Sequence, residues 1–306
     1  MEKILILGIT ASGKARLTFE MAKKLDTEII SADSMKVYRR MNIGTASPSA
    51  EAQKQIKYHL IDVVEPWESF SVDKFLELTK AATEEITAKN KPVIASGGTA
   101  MYIKALLFGL FDGPGTDMEI RTDLKRQIAK NGLAKLHEQL REIDQVAAER
   151  IHPNDEKRLI RAMEVYALTG KGISSLQQQF EAEKPKDNWK IIGLRREKEI
   201  ESRRINARVK RMVEDGLVDE VKSLLAEDKP LSDQAKCAIG YAEIIGHLQG
   251  KTDLETAIEQ IKINTRRMAK SQRTWFKTFK DVNWIDVGEG ESPESVFERA
   301  LQVLGI

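Results

Sequence analysis

Eight residues near the start of the chain, Gly8-Ile9-Thr10-Ala11-Ser12-Gly13-Lys14-Ala15, have the types and spacing needed to hold a phosphate. The glycines let backbone N–H groups turn toward one centre, and Lys14 supplies a full positive charge. The helix that opens at the loop adds partial positive charge at its N-terminus. A plain strand–helix turn is the bland alternative, and it needs no lysine at this spacing. After the lysine such loops place Ser or Thr, whose hydroxyl ligands Mg²⁺ or a phosphate oxygen; here Ala15 takes that position. Phosphate binding is therefore expected, whereas metal positioning is left open. Kinases and NTPases share the loop, so it names no reaction by itself.

The next group able to do chemistry is Asp33, at the C-terminal end of the second apolar run. In an open α/β sheet that end faces the ligand crevice, where a carboxylate can bind a metal or accept a proton. Helix capping by Asp33 or Ser34 is the alternative. Farther on, Arg204 and Arg208 fall one helical turn apart on one face, which a merely solvated face would also produce. Residues 261–280 carry Lys262, Arg266, Arg267, Lys270, Arg273, Lys277 and Lys280 with no acid among them, interleaved with Trp275, Phe276 and Phe279. Such a stripe suits nucleic-acid phosphates. An amphipathic helix with a basic outer face and core aromatics has the same pattern.

These groups need a scaffold. The chain has 306 residues, 41% apolar and 31% charged, enough for a sizeable core in one large domain or two modest ones. A net charge of +2 means that a nucleic-acid partner must be met by local basic patches. The single cysteine, Cys237, excludes an internal disulfide and a cysteine-rich zinc site. No run approaches a membrane span, and the first strand begins at once, so a cytoplasmic protein is expected. Strands are expected at 3–8, 28–32, 59–64, 92–96, 190–194 and 282–287, with helices at 15–25 and 72–89 between the early ones. Strand and helix in alternation imply right-handed crossovers and a parallel sheet. Gly113-Pro114-Gly115 breaks the rhythm, and Thr116 with Glu119 reads as a capping box. From 113 to 187 only helices are expected, including 133–140 and 155–168. Helices return over 198–226 with a break at Gly216, over 238–249 and over 254–279.

Ordered motifs then carry a resemblance. Asp33-Ser34 through Tyr38, Met41, Ile43-Gly44-Thr45-Ala46 is followed by His59-Leu60-Ile61-Asp62, Ser69-Phe70-Ser71-Val72 and Gly97-Gly98-Thr99-Ala100-Met101-Tyr102. Ile151-His152-Pro153-Asn154-Asp155, Arg158-Leu159-Ile160-Arg161-Ala162, Ala238-Ile239-Gly240-Tyr241 and Ala269-Lys270-Ser271-Gln272-Arg273-Thr274-Trp275-Phe276 complete the series. Across nearly the whole chain this resembles the tRNA dimethylallyltransferase (tRNA isopentenyltransferase) family. The sequence departs from that family at Ile9, usually proline, at Ala15, usually threonine, and at Ser271, usually arginine. No zinc finger, which some larger members carry, follows the last strand.

The resemblance implies an α/β, P-loop NTPase-like parallel sheet flanked by helices, with a helical insertion domain. Residues 1–112 and 188–306 would form the catalytic core and 113–187 the tRNA-contacting insertion. It implies transfer of a dimethylallyl group from its diphosphate to the exocyclic amine of the adenosine 3′ of the tRNA anticodon. Asp33 would be the base, and Lys14, the loop 8–15 and Mg²⁺ would hold the diphosphate. Arg208 would be the diphosphate-contacting arginine, with Arg204 and Lys104 as weaker members of the cluster. The metal would be carried by the diphosphate, with Asp33 as a further ligand. Contact with tRNA would fall to Asp33, Ser34, Met35, Lys36, Thr99, Arg121, Lys157, Arg158, Leu159, Ile160 and Arg161. Arg266, Lys270 and Arg273 are the candidates on the basic helix. A monomer is expected. Three rivals remain at this level: a small-molecule or nucleotide kinase, a prenyltransferase acting on free adenine nucleotides, and a non-catalytic RNA-binding relative.

Overall fold

A computed structural model describes residues 2–110, 113–177, 185 and 187–306. Its strands are β1 (Lys3–Gly8), β2 (Ile29–Ala32), β3 (Tyr58–His59), β4 (Val93–Gly97), β5 (Trp189–Arg195) and β6 (Val282–Asp286). They form one sheet in the order β3-β2-β4-β1-β5-β6, and every pairing is parallel. Ile4, Leu5, Ile6 and Leu7 of β1 are all fully buried, the uninterrupted apolar run of a strand covered on both faces. The chain leaves β1 toward β2 and β3 on one side and later reaches β5 and β6 on the other. The C-terminal end of β1 is thus a switch point, where open α/β sheets bind ligands.

Helices α1 (Lys14–Lys24), α2 (Ala50–Gln55), α3 (Val72–Ala88) and α4 (Ala100–Phe108) alternate with the first four strands. Five helices follow: α5 (Met118–Asn131), α6 (Leu133–Ile143), α7 (Gln145–Arg150), α8 (Glu156–Thr169) and α9 (Ile173–Leu176). After β5 come α10 (Lys198–Glu214), α11 (Leu217–Leu225), α12 (Asp233–Lys236), α13 (Tyr241–Leu248) and α14 (Leu254–Phe276), and after β6 comes α15 (Pro293–Leu304). Two compact units result, one from Met1–Leu107 with Asp187–Ile306 and one from Phe108–Lys186. In the first, Ile4, Ile6, Ile94 and Ile192 of the sheet pack on Leu17 and Met21 of α1 and Leu304 of α15. In the second, Leu136, Leu140, Leu159 and Val165 centre a separate helical core. Residue 112, the expected domain boundary, lies outside the described residues.

Three sequence expectations need correction. The apolar run 59–64 is a strand only at Tyr58–His59, because Leu60 and Asp62 turn the backbone to positive φ. Val64 then rejoins the sheet region by an isolated parallel bridge with Tyr38. Helix α5 is capped by Asp117, not Thr116: the Asp117 carboxylate accepts N–H bonds from Glu119 and Ile120. The last strand is followed by α15, which the apolar reading overlooked although Ser292 caps it and Pro293 occupies its first turn. No helix among the described residues is long and apolar enough to cross a membrane.

The helical unit holds a carboxylate with no exposed surface, Glu164. Arg121 and Arg161 bond it at 2.8 and 2.6 Å, and the Asp117 N–H donates to it at 2.8 Å. Burial alone would raise this carboxyl, but the bonds from Arg121, Arg161 and Asp117 outweigh burial and hold it below 4.5. Its stabilising contribution is therefore present above pH 4.5 and is lost as pH falls. Glu164→Ala should cost ~3 kcal/mol, the low end for breaking a buried pair, because both guanidiniums keep some water contact. Denaturant unfolding of the full chain measures it, and a loss under ~1 kcal/mol would reduce these bonds to the value of surface pairs.

Candidate active site

The phosphate loop leaves β1 at Gly8 and enters α1 at Lys14, with left-handed backbone at Ala11 (φ 61°) and Gly13 (φ 105°). At the start of α1 the Lys14 N–H donates to Ser12 Oγ at 3.4 Å and the Arg16 N–H to the Gly13 carbonyl at 3.1 Å, and Lys14 and Ala15 line the crevice. Two long-range clamps fix the loop. Gln272 of α14 accepts the Thr10 N–H at 2.9 Å and donates to the Gly98 carbonyl at 2.8 Å, tying the loop to the turn after β4. Arg204 and Arg196 donate to the carbonyls of Ala11 and Ser12 at 2.9 and 3.0 Å. A Cβ at Gly98 would lie 2.7 Å from the Gln272 amide nitrogen and would displace that clamp.

Asp33 follows the last residue of β2. Its Oδ1 accepts the N–H groups of Met35 at 2.9 Å and Lys36 at 3.3 Å, and no helix starts here. It is thus an Asx turn that orients the carboxylate, not a helix cap. Ser34 and Thr99 join the two strand ends: the Ser34 N–H donates to Thr99 Oγ1 at 3.0 Å.

The third wall is the segment 42–46. The Glu220 carboxylate of α11 accepts three successive N–H groups, from Asn42, Ile43 and Gly44, at 2.9, 2.8 and 3.2 Å. Tyr241 donates its hydroxyl to the same carboxylate at 2.6 Å. A Cβ at Gly44 would come within 2.4 Å of the Tyr241 ring, which explains the glycine. Arg208 donates to the Thr45 carbonyl at 3.5 Å, so this segment also carries the arginine.

Together these walls enclose a crevice of about 540 Å³. Lys14, Lys36, Arg204, Arg208 and Arg211 line it, and Asp33 is its one acid among the described residues. Burial and the charges of Lys36 and Arg208 push the Lys14 ammonium down to about 7, against the opposing pull of Asp33. Burial lowers Lys36 and Arg208 as well, with Asp33 again opposing. Half-buried cations crowded in this way suit an anion with several charges. The Lys14 ammonium rests on the Ile9 carbonyl at 3.1 Å. One carboxylate beside a bound polyphosphate is also the usual donor set for Mg²⁺, which takes few protein ligands and several substrate oxygens. Asp33 fits that role, and Ala15 adds no side-chain oxygen to it.

The predicted residues separate clearly. Lys14, Asp33, Ser34, Met35, Lys36, Thr99, Arg204 and Arg208 share the crevice, as do Thr10 to Ala15 of the loop. Lys104 is absent from it; its ammonium lies 5.7 Å from the centre of the Trp275 ring. In the helical unit Leu159 and Ile160 are buried in the core, so their side chains offer no RNA contact, while Lys157 and Arg158 are exposed. Arg121 and Arg161 are engaged with Glu164. On α14, Arg266 donates to Asn206 at 2.6 Å and Arg273 pairs with buried Glu201, which leaves Lys270 exposed. Lys36 as a member of the cation cluster, and Gln272, Glu220 and Arg196 as supports, had no such role assigned from sequence. Gln272 and Tyr241 lie inside quoted motifs, but Glu220 has no local signal.

Comparison with known proteins places this geometry in context. Residues 36–279 match the family model for IPP transferase. A tRNA dimethylallyltransferase of Acetivibrio thermocellus is 44% identical over 297 residues, covering 97% of this chain and 95% of that protein. One of Geobacter metallireducens is 43% identical, covering 92% of each. The crystal structure of the tRNA isopentenylpyrophosphate transferase of Bacillus halodurans superposes with a TM-score of 0.73 at 38% identity, covering 99% of this chain and 96% of that one. A eukaryotic dimethylallyltransferase acting on tRNA superposes with a TM-score of 0.82 at 26% identity, covering 98% of this chain and 78% of that one.

Proposed function

This chain belongs to the IPP transferase family, and we propose that it transfers a dimethylallyl group from dimethylallyl diphosphate to an adenine amine of tRNA. The base modified is the adenosine 3′-adjacent to the anticodon. The observation that carries this reading is the meeting of Asp33 with Lys14, Lys36 and Arg208 in one crevice.

The exocyclic amine of adenine is a poor nucleophile, because its lone pair is delocalised into the ring. As the N–C1 bond forms, the C1–O bond breaks and its electron pair leaves with the diphosphate. The amine proton passes to Asp33. Lys14, Lys36 and Arg208 meet the growing charge on the leaving group, with the partial positive charge of the α1 N-terminus. Bound Mg²⁺, carried by the diphosphate with Asp33 in reach, would neutralise further leaving-group charge. Positions 34, 35 and 99 lie where an unstacked base enters, since base chemistry requires extrusion from the loop stack. The helical unit, from about residue 113 to 187, is proposed as a tRNA-contacting domain through Lys157 and Arg158. We propose a cytoplasmic monomer. Incubation with dimethylallyl diphosphate, Mg²⁺ and unmodified tRNA, followed by nucleoside mass analysis, tests the reading. Absence of a prenylated adenosine would sink it.

Helix α14 is proposed as a phosphate-contacting stripe through Lys270, with Lys277 at its C-cap and Arg266 and Arg273 in supporting positions. Reversing Lys270 and Lys277 to glutamate should weaken tRNA binding and flatten the log–log salt slope by roughly 0.7 for each phosphate no longer neutralised. Arg273→Glu would report something else, because it sets a second acid against the buried Glu201 carboxylate and would destabilise the fold there. An unchanged salt slope in the double lysine variant would make the helix purely structural.

A further inference from the structure

Segment 42–46, one wall of the crevice, is a single turn of backbone held by opposite charges at its two ends. Inside it the Ala46 N–H donates to the Ile43 carbonyl at 3.0 Å, the Ser47 N–H to the Asn42 carbonyl at 2.9 Å and the Thr45 hydroxyl to the Met41 carbonyl at 2.6 Å. Its leading N–H groups donate outward, to Glu220 of α11: Oε2 accepts Asn42 and Ile43, and Oε1 accepts Gly44. Oε1 also accepts the Tyr241 hydroxyl. Burial and the Glu220 charge both push the Tyr241 phenol above its ordinary 10, so it keeps the proton that it donates. At the far end the Thr45 carbonyl accepts Arg208. An anion at the N–H end of a turn and a cation at its carbonyl end both follow the peptide dipoles, and both sets of bonds are charge-assisted.

Arg208 has no other hydrogen bond among the described residues. It shares the crevice with Lys14, Lys36, Arg204 and Arg211, whose like charges repel it, and Asp33 is the one opposing charge among the described lining residues. A half-buried guanidinium in that company keeps its place only where an acceptor is held for it. The Thr45 carbonyl is that acceptor, and its position depends on the N–H end of the same turn being fixed. We propose that Glu220 is a positioning residue: through the turn 42–46 it sets the Arg208 guanidinium that meets the leaving diphosphate. The inference rests on the proposed prenyl transfer and adds to it a residue that no sequence motif marks and that lies behind the wall of the crevice.

A double-mutant cycle on the full chain tests this, with metal-free inorganic diphosphate as the probe and titration calorimetry as the readout. Arg208→Met should weaken binding roughly 10- to 150-fold, the value of one hydrogen bond to a charged group. Glu220→Ala should weaken it about tenfold in the parent chain but less than about twofold in the Arg208→Met background, because the group it positions is already gone. The affinity of Glu220→Ala for unmodified tRNA should stay within about twofold of the parent. Glu220→Gln is the milder variant. Its amide oxygen can take the place of Oε2 and its NH₂ can donate to the Tyr241 oxygen, which leaves only the Gly44 N–H unpaired. It should cost about threefold in diphosphate affinity, again only while Arg208 is present. Equal losses from Glu220→Ala in the two backgrounds overturn the routing through Arg208, and no loss in the parent overturns the inference outright; neither result touches the proposed function. If the alanine variant does not fold, Glu220→Gln carries the cycle, and equal losses in its two backgrounds overturn the inference in the same way. A parallel loss of tRNA affinity makes Glu220 a general brace of the fold and overturns the specific role. Diphosphate failing to bind the parent chain overturns the proposed function, and this inference with it.

Discussion

Asp33→Asn is expected to lower the rate of prenyl transfer by ~10²–10⁴-fold, the usual loss on removing a general base, with affinities for prenyl diphosphate and tRNA changed only a few-fold. The geometry explains why binding and rate should part. Asp33 uses Oδ1 to hold the Met35 and Lys36 N–H groups, and an asparagine carbonyl does the same in an Asx turn. The segment that carries Lys36 therefore keeps its shape. What disappears is an oxygen basic enough to take the amine proton. The variant also removes the one negative charge among the described residues of a crevice lined by five basic side chains, so diphosphate without metal should bind as well as before or more tightly. A fall in kcat with KM for the donor unchanged or lowered is the expected signature. Rapid-quench single turnover isolates the chemical step. A variant that turns over at near the normal rate would make Asp33 a turn-forming residue and move the base elsewhere.

The same residue shows what a sequence can and cannot say about a site. Asp33 could be picked out because strand ends face the crevice in open α/β sheets, a rule that depends only on order along the chain. The loop 8–15 was legible for the same reason, since its chemistry is local. Five of the six strands emerged from apolar runs close to their observed bounds. The exception, 59–64, fails where positive φ at Leu60 and Asp62 bends an apolar stretch out of the sheet, and periodicity does not encode that bend. Clamps made across the fold were the hidden part. Glu220 lies about 180 residues from the three N–H groups it organises, and nothing in its neighbourhood distinguishes it from other helix-surface acids. Sequence alone marks Lys36 as an RNA contact, because its place in the cation cluster depends on Arg208 arriving from α10. Leu159 and Ile160 illustrate the converse. A motif carries its apolar members along with its charged ones, and only the packing of α8 shows which of them face the core.

Lys14→Met should weaken diphosphate binding by roughly 10- to 150-fold, the value of one hydrogen bond to a charged group, and lower kcat/KM by at least as much. Lys14 meets charge in both the bound substrate and the transition state, so part of the loss appears in KM. The protonation of this lysine gives a sharper readout. Burial and the neighbouring Lys36 and Arg208 hold it near 7 in the empty crevice, far below the ordinary 10.5. Anion binding selects the ammonium, so the affinity for diphosphate should fall as pH rises above about 7. Subtracting the profile of Lys14→Met removes the titration of the ligand, and the difference should retain that fall. Stability should move the other way. Between about 7 and 10.5 the unfolded chain holds a proton on Lys14 that the folded chain sheds, so the stability of the empty protein rises with pH across that window. Methionine keeps much of the stem without a charge to desolvate, so the variant should be more stable than the parent near neutral pH and lose that part of the pH slope. A binding site that stabilises the protein when removed is what a preorganised anion pocket predicts, since crowding like charges costs folding free energy that only the ligand returns. If Lys14→Met binds diphosphate normally, or if both chains show the same pH dependence of affinity and stability, then Lys14 is not the charge that meets the anion.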